Sequence, residues 1–195
     1  MTFTLFIQGV ILGLNLAAVY ALMALGLTLI FGILGIVNLA HGVLYMLGAF
    51  GMYYIYGILG LNFYLAMLAT IVTLGLFGLF MERAFYRPVG GRFAPVIAIT
   101  IGLMILFESA GQIVFGFEPK GVTNPIPGLT TILGFNLTNY SLSVVFVTIL
   151  LVVGLYYLIH RTKTGRNMRA VEEDKIAAAL QGVHTNRTNA LTFAL

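Results

Sequence analysis

The chain has 195 residues, of which 60% are hydrophobic and 8% are Asp, Glu, Lys or Arg, and its formal net charge is +4. A soluble domain carries about 25% charged residues, and this chain has neither cysteine nor tryptophan. These values exclude a soluble enzyme, a soluble nucleic-acid-binding protein, a disordered chain and a disulfide-stapled module. The composition predicts an integral membrane protein.

Long uncharged stretches of the sequence predict its membrane spans. No Asp, Glu, Lys or Arg occurs before Glu82, and that stretch is long enough for three helices of about 20 residues each. Each segment is continuously apolar, whereas barrel strands would alternate apolar and polar residues. The predicted fold class is therefore all-α, a polytopic integral membrane helical bundle. The predicted spans cover residues 5–29, 33–56, 62–82, 93–116 and 140–159.

A further apolar segment begins near Thr188 and continues to Leu195. It is shorter than the roughly 20 residues that a membrane span needs. We therefore expect the sequence to be a fragment of a longer protein that ends as a sixth span enters the membrane, with residues 1–195 forming a single transmembrane domain.

The basic residues predict the orientation of the chain. Three of them, Arg83, Arg87 and Arg92, follow the third span. Six more follow the fifth span: Arg161, Lys163, Arg166, Arg169, Lys175 and Arg187. Nine of the ten basic residues thus lie in two loops that two spans separate, so both loops are on one side, which the positive-inside tendency identifies as the cytoplasm. Topology explains these charges without an anionic partner, so no nucleic-acid binding is expected.

A glycine-rich segment near the start of the second predicted span, GILGIVNLAHG at residues 32–42, contains Asn38 and His41. Polar side chains and unwound backbone survive at membrane depth only where they face protein or a water-filled cavity. One interpretation is a broken helix that lines a translocation path, with both polar side chains facing it. The other is close helix packing through the glycines, with both side chains bonded to a neighbouring helix.

An acidic residue, Glu108, lies about two-thirds of the way through the fourth predicted span, and Gln112 follows one helical turn later on the same face. A carboxylate at that depth is costly, so an intramembrane acid is a functional-site hypothesis. Glu108 is a candidate proton relay or partner for the amine of a substrate. Alternatively, it is a protonated carboxyl group that only bonds across helices.

The loop at about 160–187 carries most of the charge of the chain, and we predict a short amphipathic helix within it at about 167–181. Its apolar residues recur at spacings of three to five, largely on one stripe: Met168, Val171, Ile176, Ala179 and Leu180. Gly182 is a natural cap for the end of this helix. Acidic residues and small alanines favour docking onto a partner protein, because headgroup-binding helices prefer basic residues beside bulky anchors.

No enzyme motif is present in the sequence. The chain has no Walker A lysine, no HExxH zinc motif and no G-x-S-x-G nucleophile elbow. We therefore expect no enzyme activity, no catalytic residue, no metal site and no cofactor. If the protein drives uphill transport with ATP, another subunit must bind the nucleotide.

Three stretches of the sequence are shared with a known family. They are GLTLIFGILGIVNLAHGVLYMLGAF, then MERAFYRPVGG, then GRNMRAVEEDKIAAALQGV followed by NRTNALTFAL. In this order and spacing they resemble the second-span signature, the first cytoplasmic loop and the coupling loop of ABC importer permeases of the branched-chain amino acid family. The resemblance runs from about Tyr20 to Leu195 and implies the N-terminal two-thirds of a permease. The sequence departs from the family at Leu39, where phenylalanine is usual, and at Glu108, where an amide is more usual.

The resemblance implies several partners. They are ABC ATPase subunits, a second permease subunit that is either a copy or a paralogue, and an extracytoplasmic solute-binding protein. The location it implies is the lipid bilayer of a bacterial or archaeal cytoplasmic membrane. The implied residues of the ATPase-coupling loop are Arg169, Glu172, Glu173, Asp174, Ala177, Ala178 and Gly182. The candidate residues of the translocation path are Asn38, His41, Glu108 and Gln112.

The leading hypothesis is the permease subunit of an ATP-driven importer of branched-chain amino acids, or of related small amino acids, amides or urea. The alternative is a proton-coupled secondary transporter that uses Glu108 as its carrier group. A third hypothesis is a membrane scaffold that transports nothing and uses its glycines and its cytoplasmic helix only for packing and docking.

Overall fold

A computed structural model of the chain describes residues 2–35, 37–90, 92–132 and 135–195. Within these ranges the α-helices, in chain order, are α1 (Thr2–Leu34), α2 (His41–Met52), α3 (Phe63–Met81), α4 (Arg87–Val89), α5 (Phe93–Phe115), α6 (Asn139–Arg161), α7 (Lys163–Glu173), α8 (Lys175–Leu180) and α9 (Thr185–Ala194). A π-helical segment at Tyr53–Ile58 continues α2, and a second, at Glu82–Tyr86, joins α3 to α4. The predicted all-α fold class is confirmed.

Four helical segments in the described part of the chain are long and apolar enough to cross a membrane: Phe6–Leu34, Phe63–Val89, Phe93–Phe115 and Asn139–Arg161. Their mean hydropathy values lie between 2.0 and 2.6. Most of their large apolar side chains are exposed, and along α6 only Thr148 is buried. Surfaces of this kind match lipid or partner subunits rather than water, which fits an integral membrane protein.

The first break between helices falls after Leu34, where the chain leaves helical geometry and resumes it at His41. Gly35 has φ +64°, a left-handed conformation that suits glycine and commonly ends a helix. α1 therefore extends beyond residue 29, where the first predicted span ends. α2 with its π segment covers 41–58, so it begins eight residues after the start of the second predicted span and ends two residues after its end. The bounds of the spans within a membrane stay predictions.

The segment between α5 and α6 contains a small antiparallel hairpin, β1 (Leu129–Ile132) paired with β2 (Phe135–Thr138). Its register pairs Leu129 with Thr138 and Ile132 with Phe135. Thr138 also caps α6, because its side-chain oxygen accepts a hydrogen bond from the Ser141 amide. The hairpin thus leads the chain directly into its last long helix.

The buried core lies at the end of the bundle where both basic loops are found. One apolar cluster joins residues from α1, the break before α2, α3, the second π segment, α5 and α9: Ile30, Ala40, Met81, Tyr86, Val96, Leu103 and Phe193. A second cluster joins α1 to α7 through Leu29, Ile33 and Met168. The loop after the fifth predicted span is therefore packed into the helix bundle.

Close backbone contact joins α3 to α9. A Cβ atom built on Gly78 would overlap the carbonyl group of Phe193, and one on Gly75 would lie 3.4 Å from the carbonyl oxygen of Ala194. Residues three apart share a helix face, so these two glycines form a smooth face against which α9 packs, backbone to backbone.

Candidate functional site

Asn38 lies in the break between α1 and α2 and is only 2% exposed. Its side-chain Oδ1 accepts two hydrogen bonds, from the Ala40 amide at 3.1 Å and from the Tyr86 hydroxyl at 2.9 Å. Its own carbonyl oxygen accepts a bond from the His41 amide at 3.2 Å. Asn38 therefore holds the break in shape and ties it to the π segment that follows α3.

His41, the first residue of α2, is fixed against α1. Its Nε2 donates to the Met23 carbonyl oxygen at 3.1 Å, and the carbonyl sets this tautomer because it can only accept. A Cβ atom on Gly26 would lie 2.7 Å from the imidazole Cε1, so the missing side chain of Gly26 makes room for the ring. The other ring nitrogen, Nδ1, is buried and has no hydrogen-bond partner among the described residues.

We predict that Tyr86→Phe destabilises the packing of the helix break. The change removes one donor to the buried Asn38 oxygen and leaves the Ala40 amide bond, so the expected loss is about 1 kcal/mol. Thermal unfolding of the purified protein in detergent measures it. The matched control is Tyr156→Phe, at a hydroxyl on α6 whose residue is 62% exposed. Equal unfolding temperatures for the two variants would contradict the role given to the Tyr86 hydroxyl.

Glu108 and Gln112 lie on an outer face of α5, where both side chains are exposed. The buried face of the same helix contains Leu103 and Gly111, and Gly111 packs against the Met46 side chain of α2. Burial thus separates the candidate path residues into two pairs, with Asn38 and His41 held inside this chain and Glu108 with Gln112 outside it. Their role in a translocation path stays a prediction.

The loop after α6 forms two helices, so the prediction of one helix over 167–181 was wrong. α7 ends and α8 begins at Asp174, an extended residue with φ −154° and ψ 108°. Its Oδ1 accepts hydrogen bonds from the amides of Ile176 at 2.8 Å and Ala177 at 3.0 Å. Asp174 is therefore an N-cap, a role that aspartate fills well, and it ends the preceding helix.

The change of direction at Asp174 divides the predicted apolar stripe. Met168 and Val171 on α7 are buried, at 0% and 6% exposed, whereas Ile176 and Leu180 on α8 are 75% and 85% exposed. Gly182, with φ +85°, ends α8, and the Val183 amide donates to the Ala178 carbonyl oxygen at 3.0 Å. α7 thus anchors the loop to the bundle, and α8 presents an apolar face outward.

The candidate coupling residues differ in exposure. Exposed side chains belong to Arg169, Glu172, Glu173 and Asp174, and Gly182 is also exposed. Ala177 is half-buried and Ala178 is 3% exposed. Ala178 therefore packs α8 onto its own chain, and the exposed face of α8 consists instead of Ile176 and Leu180, one helical turn apart.

Sequence reasoning missed Glu82, which it treated only as the end of the third span. The residue is 2% exposed, its Oε1 lies 3.7 Å from the Arg87 Nε, and its Oε2 is buried without a hydrogen-bond partner among the described residues. Glu82 is the first charged residue after 81 uncharged positions, and this place in the sequence could have marked it as a candidate functional residue. Glu82 lines a cavity of about 50 Å³ that Lys175 and Asn189 also line, so the two basic loops meet there.

The sequence model of the family described as "Branched-chain amino acid transport system / permease component" matches residues 9–195. The chain belongs to this family. One curated relative is the high-affinity branched-chain amino acid transport system permease protein BraD of Pseudomonas aeruginosa. The two sequences are 32% identical over an alignment of 205 positions, gaps included, which covers 97% of this chain and 66% of BraD. Two other relatives are the high-affinity branched-chain amino acid transport system permease proteins LivH of Salmonella typhimurium and of Escherichia coli. Each is 30% identical to this chain over an alignment of 207 positions, which covers 99% of this chain and 67% of LivH.

The chain thus spans about two thirds of the length of these relatives. No solved structure matches it significantly. The family is named as a transport component, which agrees with the prediction from the sequence that this is a permease and not an enzyme.

Proposed function

We propose that the chain is part of the membrane-spanning permease subunit of an ATP-driven importer in a bacterial or archaeal cytoplasmic membrane. The cargo proposed is branched-chain amino acids or related small amino acids, amides or urea. The observation that carries this proposal is the family match over residues 9–195, and the relatives are named as high-affinity branched-chain amino acid permeases. Helices with the length and hydropathy of membrane spans support it.

The proposed partners are two ATPase subunits, a second permease subunit and an extracytoplasmic solute-binding protein. Two features of the chain support this assembly. The long helices expose large apolar side chains, and such surfaces suit lipid and a second permease. The exposed face of α8 forms a small apolar projection beside acidic residues, which suits docking onto a soluble subunit.

In the proposed mechanism, closure of the ATPases on ATP displaces α8. Movement of α8 is transmitted through α7, because Met168 is completely buried and packs against Leu29 and Ile33 of α1. α1 in turn holds His41 through the Met23 carbonyl. A push on the loop therefore reaches the break between α1 and α2, which would open and close the path near Asn38 and His41.

Uptake by the full-length protein, reconstituted with its co-purifying ATPases and binding protein in proteoliposomes, tests this function. Radiolabelled leucine should accumulate only when ATP is supplied on the side of the ATPases, and a protonophore should leave the initial rate unchanged. Accumulation that survives ATP removal and collapses with the protonophore would contradict the importer and favour proton coupling through Glu108. Absence of flux under either energy source would favour the scaffold hypothesis.

A further inference from the structure

Two buried oxygen atoms, neither with a hydrogen-bond partner among the described residues, belong to side chains that line one small cavity between the two basic loops. One is Oε2 of Glu82, a residue 98% buried, and the other is Oδ1 of Asn189 on α9. A buried acceptor left unpaired is destabilising, and more so when it is charged. Two such acceptors on residues that line one cavity therefore indicate that a donor belongs there.

The donor must be a small group with several hydrogens and, for preference, a positive charge. The cavity measures about 50 Å³, which exceeds the roughly 10–15 Å³ that one water-sized group needs. Arg87 also lines the cavity, and its Nε lies 3.7 Å from the other carboxylate oxygen of Glu82. An ammonium group offers three donors and no acceptor, so one such group can satisfy both oxygens at once.

Lys175 supplies that group from within the chain. It is the first residue of α8, its side chain is exposed, and it lines both this cavity and the neighbouring one of about 250 Å³ beside Gly32 and Glu172. Among the described residues no ion pair within 4.0 Å engages the Lys175 ammonium. The flexible four-carbon stem of a lysine allows its charged end to turn into an adjoining cavity.

We propose that Lys175 is a latch, whose ammonium group enters this cavity and bonds to Glu82 Oε2 and Asn189 Oδ1. The latch ties the first residue of α8 to the π segment after α3 and to α9. Hydrogen bonds between ionised groups are the strong ones in proteins, and Glu82 is buried from water. In the mechanism proposed above, on which this role rests, the latch is a second route by which movement of α8 reaches the helix bundle. The first route runs through α7.

Acylation of lysine amines by N-hydroxysuccinimidyl acetate, followed by mass spectrometry, tests the latch on the assembled full-length transporter. Lys175 should react about 10- to 150-fold more slowly than Lys163, an exposed lysine on α7, because a bond to a charged group is worth about 1.5–3 kcal/mol. Glu82→Gln should bring the Lys175 rate close to that of Lys163, and Asn189→Leu should raise the Lys175 rate part of the way, because the bond to Glu82 remains. Glu118→Gln, the same change in the segment between α5 and α6, should leave both rates as they are.

Three outcomes would overturn the latch. Lys175 could react as fast as Lys163 in the unaltered complex, or react at an unchanged rate in Asn189→Leu, which would mean that Asn189 does not hold its ammonium group. It could also stay protected in an intact Glu82→Gln complex. ATP-driven uptake is measured on the same vesicles. If Lys175 in the unaltered complex reacts as fast as Lys163 while uptake is normal, only the latch is refuted. Failure of ATP-driven uptake there refutes the proposed function itself.

Discussion

The Leu180→Asp variant is expected to lose ATP-driven uptake and to retain its folded membrane helices. Leu180 is 85% exposed at the end of α8 and makes up the outward apolar face with Ile176. A carboxylate there would be buried against the ATPase without a partner, and an unpaired charge buried at an interface costs about 2–5 kcal/mol, at least about thirtyfold in affinity. Co-purification of the ATPase and the initial rate of leucine uptake measure the effect.

The control for Leu180→Asp is Leu129→Asp, at a residue that is 65% exposed on the β1–β2 hairpin. Both substitutions place a carboxylate on an exposed apolar position, so only the site differs. Unfolding temperatures should be unchanged in both variants, and only Leu180→Asp should release the ATPase. An Ala178→Arg change is less informative because Ala178 is buried and its enlargement would also displace α8. Full ATPase retention by Leu180→Asp would remove α8 as the docking element.

Substitution of Gly78 by alanine is expected to separate α3 from α9. The added methyl group would overlap the Phe193 carbonyl, which belongs to backbone and cannot rotate away. Overpacking of this kind costs about 1–3 kcal/mol, so the unfolding temperature should fall. Gly102→Ala, on α5, is the control because nothing lies within 4 Å of a Cβ atom there. It should be neutral or stabilising by up to about 1 kcal/mol, because alanine is the better helix former.

Gly78→Ala is therefore expected to be destabilised, and Gly102→Ala is expected not to be. Thermal unfolding of the purified protein in one detergent compares them directly. If Gly78→Ala is as stable as Gly102→Ala, α9 does not pack on α3 through its backbone. Loss of stability in both variants would instead show that alanine is unfavourable at any glycine of these long helices, and the close contact would not be the cause.

The fold class was predictable because hydropathy alone determines it. A chain with no charge before Glu82 can only place those residues in lipid or in a buried interface, and the helices with the highest mean hydropathy lie in the predicted apolar stretches. The helix break was located less well. Gly32 and Gly35 lie close together, and periodicity does not reveal that Gly35 is the one that adopts a positive φ.

The loop was predictable in composition but not in shape. Ile176 and Met168 fall on one stripe only if the helix is continuous, and Asp174 breaks it by bonding the amides of the following turn. Aspartate is also tolerated inside helices, so its choice between the two roles depends on packing around Met168, which is a long-range contact with α1. For the same reason, nothing local in the sequence pointed to a cavity shared by Glu82 and Asn189.

The π-helical turn at Glu82–Tyr86 explains why Glu82 pairs with Arg87. In an α-helix, residues three and four apart are neighbours, and residues five apart are not. In this segment the Arg87 amide donates to the Glu82 carbonyl oxygen, five residues back, which also brings the guanidinium to the carboxylate. The ion pair is thus a product of one additional residue per turn. A single-residue deletion from 83 to 86 would return this turn to the α-helical pattern, in which residues four apart are neighbours, so the acid and the arginine should still pair without the π turn.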